Sequence, residues 1–284
     1  MDLKGTRHLL KKEGLAPKKK LGQNFLVHKH TAQRISDLAE IDQNDVILEV
    51  GVGLGALTEP MARAAKRVIG IEADSGIVRM HQEKKDLPPN VRLLHQDILQ
   101  ADLEQLAEES GGRLKIVANL PYSISTPFLF RLFQHSDIME SAVIMLQKEV
   151  ADRLLAQPGT KEYGVPTVLL SGCAAVKMLM RVKPEEFHPR PKVDSAVVRL
   201  TFFPASERIR NLDHFEPEKL RKVVNAAFGQ RRKTLINALR GGGINGDKQQ
   251  ITEAIESCGL SPSIRAERLS IEDFVQLTNT LDQL

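Results

Sequence analysis

The sequence predicts an α/β protein: a doubly wound, mostly parallel sheet with an antiparallel edge strand, followed by a small all-helical C-terminal domain. Three observations predict it. Short apolar runs alternate with amphipathic stretches through residue 147, a glycine-rich turn follows the first run, and the strand pattern stops near residue 205. Such β-α-β-α alternation marks a parallel sheet, because each strand needs a crossover to return in the same direction.

The elements follow in order. VILEVG (46–51) reads as a strand and LTEPMARAA as a helix; RVIGIEA (67–73) is a strand and SGIVRMHQEK a helix; VRLLHQD (91–97) is a strand and LEQLAEES a helix. LKIVANL (114–120) is a fourth strand, TPFLFRLFQ a helix, and SAVIMLQ (141–147) a fifth strand. AVKMLMRV and VDSAVVRLTFF both read as strands, separated only by the Pro-rich loop PEEFHPRPK. Two successive strands without a helix place one antiparallel at the sheet edge. EPEKLRKVVNAAF, RKTLINALR, ITEAIES and IEDFVQLTNTL read as helices, punctuated by the glycines 241–243 and by Ser261-Pro262. The expected division is therefore 1–204, with a basic N-terminal arm, and 205–284.

Composition narrows the class. The chain has 284 residues, 42% hydrophobic and 27% charged, enough for a core in one large domain and a small one. No apolar run reaches the length of a membrane span, and the N-terminus carries no signal-peptide pattern, so neither a membrane partner nor secretion is expected. The two cysteines, Cys173 and Cys258, form no C-x-x-C, which argues against a disulfide scaffold or a metal site and fits a cytoplasmic protein. Nothing demands more than a monomer. The net charge of +4 is unevenly spread: residues 1–20 carry +5, residues 219–240 carry seven Lys or Arg and no acid, and the remainder is −8. Each basic segment alone also reads as a solvated helix face or a disordered tail; two of them on an acidic body point to nucleic acid.

EVGVGLGA opens the first helix of the alternating region, and Gly51-x-Gly53-x-x-Ala56 fits the Rossmann-like dinucleotide fingerprint. Glycines let backbone N–H groups face an anionic ligand at a helix N-terminus. Glu72 ends the second strand, where a carboxylate accepts both hydroxyls of a ribose. The loop suits nicotinamide, flavin or S-adenosylmethionine equally. Asp97 ends the third strand, placed to accept from an adenine amino group, with Ile98 beside it to pack on the purine; the plain alternative is Asp97 as a helix N-cap.

The fourth strand stops at Asn119-Leu120-Pro121-Tyr122. Such an end suits methyl transfer to the exocyclic amine of adenine, whose lone pair is delocalised into the ring. Two acceptors holding the amino hydrogens favour pyramidalisation, so the chemistry needs positioning more than a strong base. Asn119 offers a side-chain carbonyl and Leu120 a backbone carbonyl, Pro121 restricts where the latter points, and Tyr122 offers a flat face for an extruded base. The plain alternative is a turn with a buried tyrosine.

Asn-Leu-Pro-Tyr resembles the catalytic motif of adenine-N-methylating S-adenosylmethionine enzymes. LGQNFL (21–26), EVGVGLGALTEP (49–60), NLPYSISTPFLF (119–130), MLQKEVADRL (145–154), FHPRPKVDSAVVRL (187–200) and FGQRRKTLINAL (228–239) together are similar to the KsgA/RsmA family, from residue 21 to RAERLSIEDF near the end. The resemblance implies S-adenosylmethionine-dependent dimethylation of two adjacent adenosines near the 3′ end of small-subunit ribosomal RNA, with the small ribosomal subunit as partner. It implies cofactor contacts at Asn24, Leu26, Gly51, Glu72, Asp97 and Asn119, base handling at Asn119 to Tyr122, and a second stacking ring at Phe187, which the residues alone assign to the core. Arg231, Arg232 and Lys233 are expected to contact RNA phosphates. The chain departs from the family's pattern at GVPTVLLSGCAAVK (164–177), expected on the helix and strand behind the active site, and at Val52, where a proline is common. The alternatives are an Erm-type enzyme acting on large-subunit RNA, a non-catalytic RNA-binding assembly factor, and a nicotinamide oxidoreductase. The first usually carries Ile at the position of Leu120; the last leaves the Asn119 motif and both basic segments unexplained.

Overall fold

The computed structural model describes residues 3–18, 22–230 and 232–284. The chain divides into two compact units, one running up to Ala151 and including Lys177–Pro204, the other Asp152–Val176 with Ala205–Leu284. One of the divisions between the units falls after Pro204. Residues 152–176, expected in the first domain, group instead with the C-terminal helices. Most of the atypical stretch 164–177 therefore lies in the helical unit.

The strands are β1 (Phe25–Leu26), β2 (Val46–Val50), β3 (Arg67–Glu72), β4 (Val91–His95), β5 (Leu114–Asn119), β6 (Met139–Gln147), β7 (Ala175–Val182), β8 (Phe187–His188) and β9 (Ser195–Thr201). Seven of them form one sheet in the order β4-β3-β2-β5-β6-β9-β7. β2 pairs in parallel with β3 and β5, as do β3 with β4 and β5 with β6. β9 runs antiparallel to β6, opposing Ser195 to Gln147 and Thr201 to Ser141. The antiparallel strand thus inserts beside β6, and β7 takes the outer edge. The central strands are mostly apolar because both faces are covered: Ile47, Leu48, Val68, Ile69, Ile116 and Val117 are all buried.

The first unit carries α1 (Leu3–Lys12), α2 (Lys29–Leu38), α3 (Thr58–Ala64), α4 (Ser75–Lys84), α5 (Leu103–Glu109), α6 (Ser125–Gln134) and the start of α7 (Lys148–Leu154). α1 lies within the basic arm. It buries Thr6 and Leu10, and Leu10 packs with Phe25, Ile77 and the partly buried Leu15 and Leu54. Its outward side carries Lys4, Arg7, Lys11 and Lys12, all exposed. β1 and β8 form a separate two-residue ladder, Phe25 opposite His188 and Leu26 opposite Phe187.

In the helical unit, α8 (Val165–Ser171), α9 (Glu207–Arg210), α10 (Pro217–Phe228), α11 (Leu235–Gly241), α12 (Lys248–Ser257) and α13 (Ile271–Leu281) surround Leu220, Val224, Leu239, Ile255 and Phe274. Capping boxes start α12 at Asp247 and α13 at Ser270. Gly242 is a packing residue: a Cβ there would sit 2.4 Å from Ala226 Cβ, so α10 and the end of α11 meet at near-backbone distance. Tyr163 is buried here with its hydroxyl donating to the Leu269 carbonyl at 2.8 Å, a structural tyrosine.

Gly70 in β3 performs a similar task. A Cβ on it would lie 2.5 Å from Val52 Cγ2, so the glycine loop is seated in the space that residue 70 leaves. Gly70→Ala should therefore destabilise the protein by ~1–3 kcal/mol through overpacking. Adding Val52→Ala should restore most of the loss. Urea melts of the single and double variants check this, and equal stability of all three proteins would refute the packing account.

Candidate active site

The chain order of the sheet reverses between β2 and β5, and open α/β sheets bind ligands at such a switch point, beyond the C-terminal strand ends. A cavity enclosing about 1030 Å³, including its open mouth, lies there. Its walls come from the strap Gln23–Leu26, the glycine loop, the ends of β3 and β5, Asp97 and the turn 120–124. Gly51 has φ +81°, and a Cβ on it would lie 3.4 Å from the Asn119 carbonyl oxygen, so the loop and the end of β5 touch.

Asn119 donates its Nδ2 to the Asn24 carbonyl at 3.2 Å. That contact fixes the amide's orientation and leaves Oδ1 as the acceptor end. Pro121 follows with φ −53° and ψ 131°, and Tyr122 opens a 3₁₀ turn that runs into α6. The Tyr122 hydroxyl is 2.7 Å from Ser195 Oγ, and Ser195 is fully buried on β9. Burial raises the Tyr122 phenol above its ordinary value, with the Ser195 contact opposing, so the ring is neutral near pH 7. The one tyrosine of this cavity is thus held by its hydroxyl with its ring at the wall.

Glu72 accepts from the Gly53 N–H at 2.9 Å and from the Asp74 N–H at 2.8 Å. Burial raises its carboxyl, and these N–H groups partly offset the rise. Asp97 lines the cavity and also accepts from the Leu99 N–H at 2.9 Å. It closes a local turn; the N-cap of α5 is Asp102, not Asp97.

Of the residues expected around the cofactor and base, Asn24, Leu26, Gly51, Gly53, Glu72, Asp97, Asn119, Leu120, Pro121 and Tyr122 line this one cavity. Two do not. Ile98 is buried away from the cavity wall. Phe187, which the resemblance implied as a second stacking ring, is only 3% exposed. The β1–β8 pairing sets it opposite Leu26, in the cluster with Val143, Met145 and Val197, as the residues alone suggested. Arg232 and Lys233 are exposed just before α11 in the helical unit; Arg231 lies outside the described residues.

Sequence reasoning missed two features. The first is the strap. Lys18 Nζ (2.6 Å) and Gln23 Nε2 (3.0 Å) both donate to the Asp74 carboxylate, which also caps α4 through the Gly76 N–H. Burial alone would raise Asp74, but these three donors outweigh it and hold the carboxyl below its ordinary value. The second is Glu49, buried in β2 and lining the cavity, with neither carboxylate oxygen hydrogen-bonded among the described residues. A single acid within VILEV was the available signal. Burial pushes its carboxyl up to about 8; the neighbouring Thr58 hydroxyl opposes the shift and Glu72 adds to it.

These features define a Rossmann-like methyltransferase class of site, in which a glycine-loop ligand cavity opens onto an amide-proline-tyrosine wall. The sequence matches the family described as ribosomal RNA adenine dimethylase over residues 14–283, and the chain belongs to that family. It is 53% identical to the ribosomal RNA small subunit methyltransferase A of Desulfotalea psychrophila, over 98% of this chain and 96% of that one. It is 44% identical to the protein of the same name from Geobacter metallireducens, over 95% and 97% of the two chains. Among solved structures, a dimethyladenosine transferase from Plasmodium falciparum superposes with a TM-score of 0.71 at 25% identity, covering 89% of this chain and 95% of that one. The 23S rRNA methyltransferase ErmE has a TM-score of 0.65 at 24% identity, covering 92% and 100%, a likeness of fold.

Glu49 gives a pH prediction. The unfolded chain loses this proton near the ordinary 4.5, whereas the folded protein keeps it to about 8. The stabilisation from the neutral carboxyl is complete below the lower value and is lost as pH rises towards the upper one. In thermal melts of the ligand-free protein, Glu49→Gln should therefore lose less stability than the parent between about pH 4.5 and 8. Parallel pH profiles would contradict the assignment.

Proposed function

We propose that the protein transfers methyl groups from S-adenosylmethionine to the exocyclic amino groups of two adjacent adenosines near the 3′ end of small-subunit ribosomal RNA. Family membership makes it an rRNA adenine methyltransferase. The observation that carries the finer reading is the single cavity joining the glycine loop to Asn119–Tyr122. The relatives named for the small subunit favour that substrate over the large-subunit alternative.

The cavity fits such a cofactor. Glu49 places two unpartnered buried carboxylate oxygens at its wall, where a cationic ligand favours the ionised form. Glu72 suits the ribose and Asp97 the adenine amino group, with Asn24, Leu26, Gly51 and Gly53 closing around them. When bound, the cofactor supplies an electrophilic methyl group. The chain's own residues do the rest. Asn119 Oδ1 and the Leu120 carbonyl accept the two amino hydrogens of the target base, which directs the nitrogen lone pair away from them. Tyr122 stacks on the flipped base, a contact worth ~1–3 kcal/mol. Ser195 restrains that ring by holding its hydroxyl.

RNA binding is assigned to the two basic segments, the outward side of α1 and the stretch containing Arg231, Arg232 and Lys233. Phosphate contacts carry little sequence information, so base choice falls to RNA shape and to the cavity.

Incubation of the protein with labelled S-adenosylmethionine and unmethylated small subunits, with large subunits as control, should label two adjacent adenosines of the small subunit alone. Label in the large subunit would select the alternative. Asn119→Ala should lower turnover by roughly 10²–10³ while subunit binding persists; near-parental turnover removes Asn119 from the mechanism. Replacing Arg231, Arg232 and Lys233 together by Ala should weaken subunit binding and reduce the slope of log affinity against log salt by roughly two. Superimposable salt series for the two proteins would assign this segment a solvated role.

A further inference from the structure

His81 lies on α4, 4% exposed, outside the cavity wall. Its Nε2 is 2.8 Å from the carbonyl oxygen of Gly53, and its Nδ1 is 2.7 Å from Asp86 Oδ1. Both partners are acceptors, so the Gly53 contact is a hydrogen bond when Nε2 carries a proton and the Asp86 contact when Nδ1 does. Gly53 is the middle glycine of the loop, held at φ +54°, and its own N–H donates to Glu72. The residue is therefore gripped from two sides: Glu72 takes its amide, and His81 takes its carbonyl. Neither neighbouring peptide plane can turn without breaking one of the two bonds.

The route that brings Asp86 to His81 is unusual. α4 is capped by Lys85, a non-glycine residue in the left-handed region at φ 51°, whose N–H bonds the His81 carbonyl. Left-handed backbone is disfavoured for a residue with a Cβ. The turn nonetheless folds the chain back so that Asp86 meets the ring five residues behind it. A Cβ on Gly55 would lie 3.8 Å from His81 Cε1, so the ring also underlies the far side of the loop.

We propose that His81, oriented by Asp86, is a positioning residue for the cofactor: it clamps the Gly53 carbonyl and so fixes the glycine loop in the pose that receives S-adenosylmethionine. This rests on the cofactor reading above. His81 touches neither the cavity nor the reacting atoms, so its effect falls on cofactor affinity and not on the methyl-transfer step.

The test uses calorimetric binding of S-adenosylmethionine and S-adenosylhomocysteine to the full chain, with kcat on small subunits at saturating cofactor. His81→Leu fills the same space without a donor. It should raise Kd and the cofactor KM about tenfold, with kcat at saturation within about twofold of the parent, a loss of about 1.4 kcal/mol in binding. His81→Gln, whose amide can donate to the Gly53 carbonyl, should recover most of the affinity. Parental affinity in His81→Leu, or an equal loss in both variants, would overturn the proposal, the second outcome assigning His81 to packing alone. Should His81→Leu fail to fold, Asp86→Ala provides the second arm: a several-fold rise in Kd supports the clamp, and no change overturns it. A parent protein that binds neither ligand would overturn the cofactor reading itself.

Discussion

Parallel pairing of β2 with β5 is the constraint from which the site follows. The two strands run the same way with Val50 opposite Ala118, so their C-terminal ends emerge side by side. The glycine loop continues one and Asn119 ends the other. Were β5 reversed, Asn119 would lie at the opposite end of the sheet and no cavity could join the two motifs. The chain order reverses at this pair, which in doubly wound sheets leaves a crevice that no crossover covers. The contact between Gly51 and the Asn119 carbonyl measures how close the two halves stand, and a side chain at residue 51 would crowd it.

Three carboxylates around that crevice show how environment, not residue type, sets charge. Asp74 is buried yet held ionised, because Lys18, Gln23 and a helix N-terminus all donate to it. Glu72 is buried with only backbone donors and is shifted upward. Glu49 is buried with neither oxygen hydrogen-bonded and moves furthest, to about 8. The series follows the number and strength of donors facing each group. Asp74 can hold a strap because its charge is already compensated, whereas Glu49 avoids the uncompensated charge by keeping its proton to about 8.

Most of the sheet was legible because its strands are short apolar runs divided by amphipathic helices, a local pattern. The glycine loop and the Asn119 turn were legible for the same reason: each is a contiguous segment whose chemistry is written in adjacent residues. What stayed hidden depends on distant partners. α1 reads as a basic tail because its small apolar side, Thr6 and Leu10, acquires meaning only against Phe25 and Ile77. The two-residue ladder of β1 and β8 joins segments some 160 residues apart and has no periodicity to detect. The same ladder sets Phe187 opposite Leu26, a pairing the residues did not show even though they assigned its ring to the core. The grouping of residues 152–176 with the C-terminal helices likewise rests on contacts that no local pattern encodes.

The bond from Asn119 Nδ2 to the Asn24 carbonyl ties the strap to the Asn119 amide. A side-chain amide is nearly symmetric in shape and is told apart from its flipped form only by its partners. Asn24 is the partner that makes the distinction here. Docking of the strap and the polarity of the acceptor are therefore one structural state, not two. A protein with its strap displaced is not merely uncovered: its amide has lost the reference that separates oxygen from nitrogen. The seating of the strap and the orientation of this amide are thus read by one hydrogen bond.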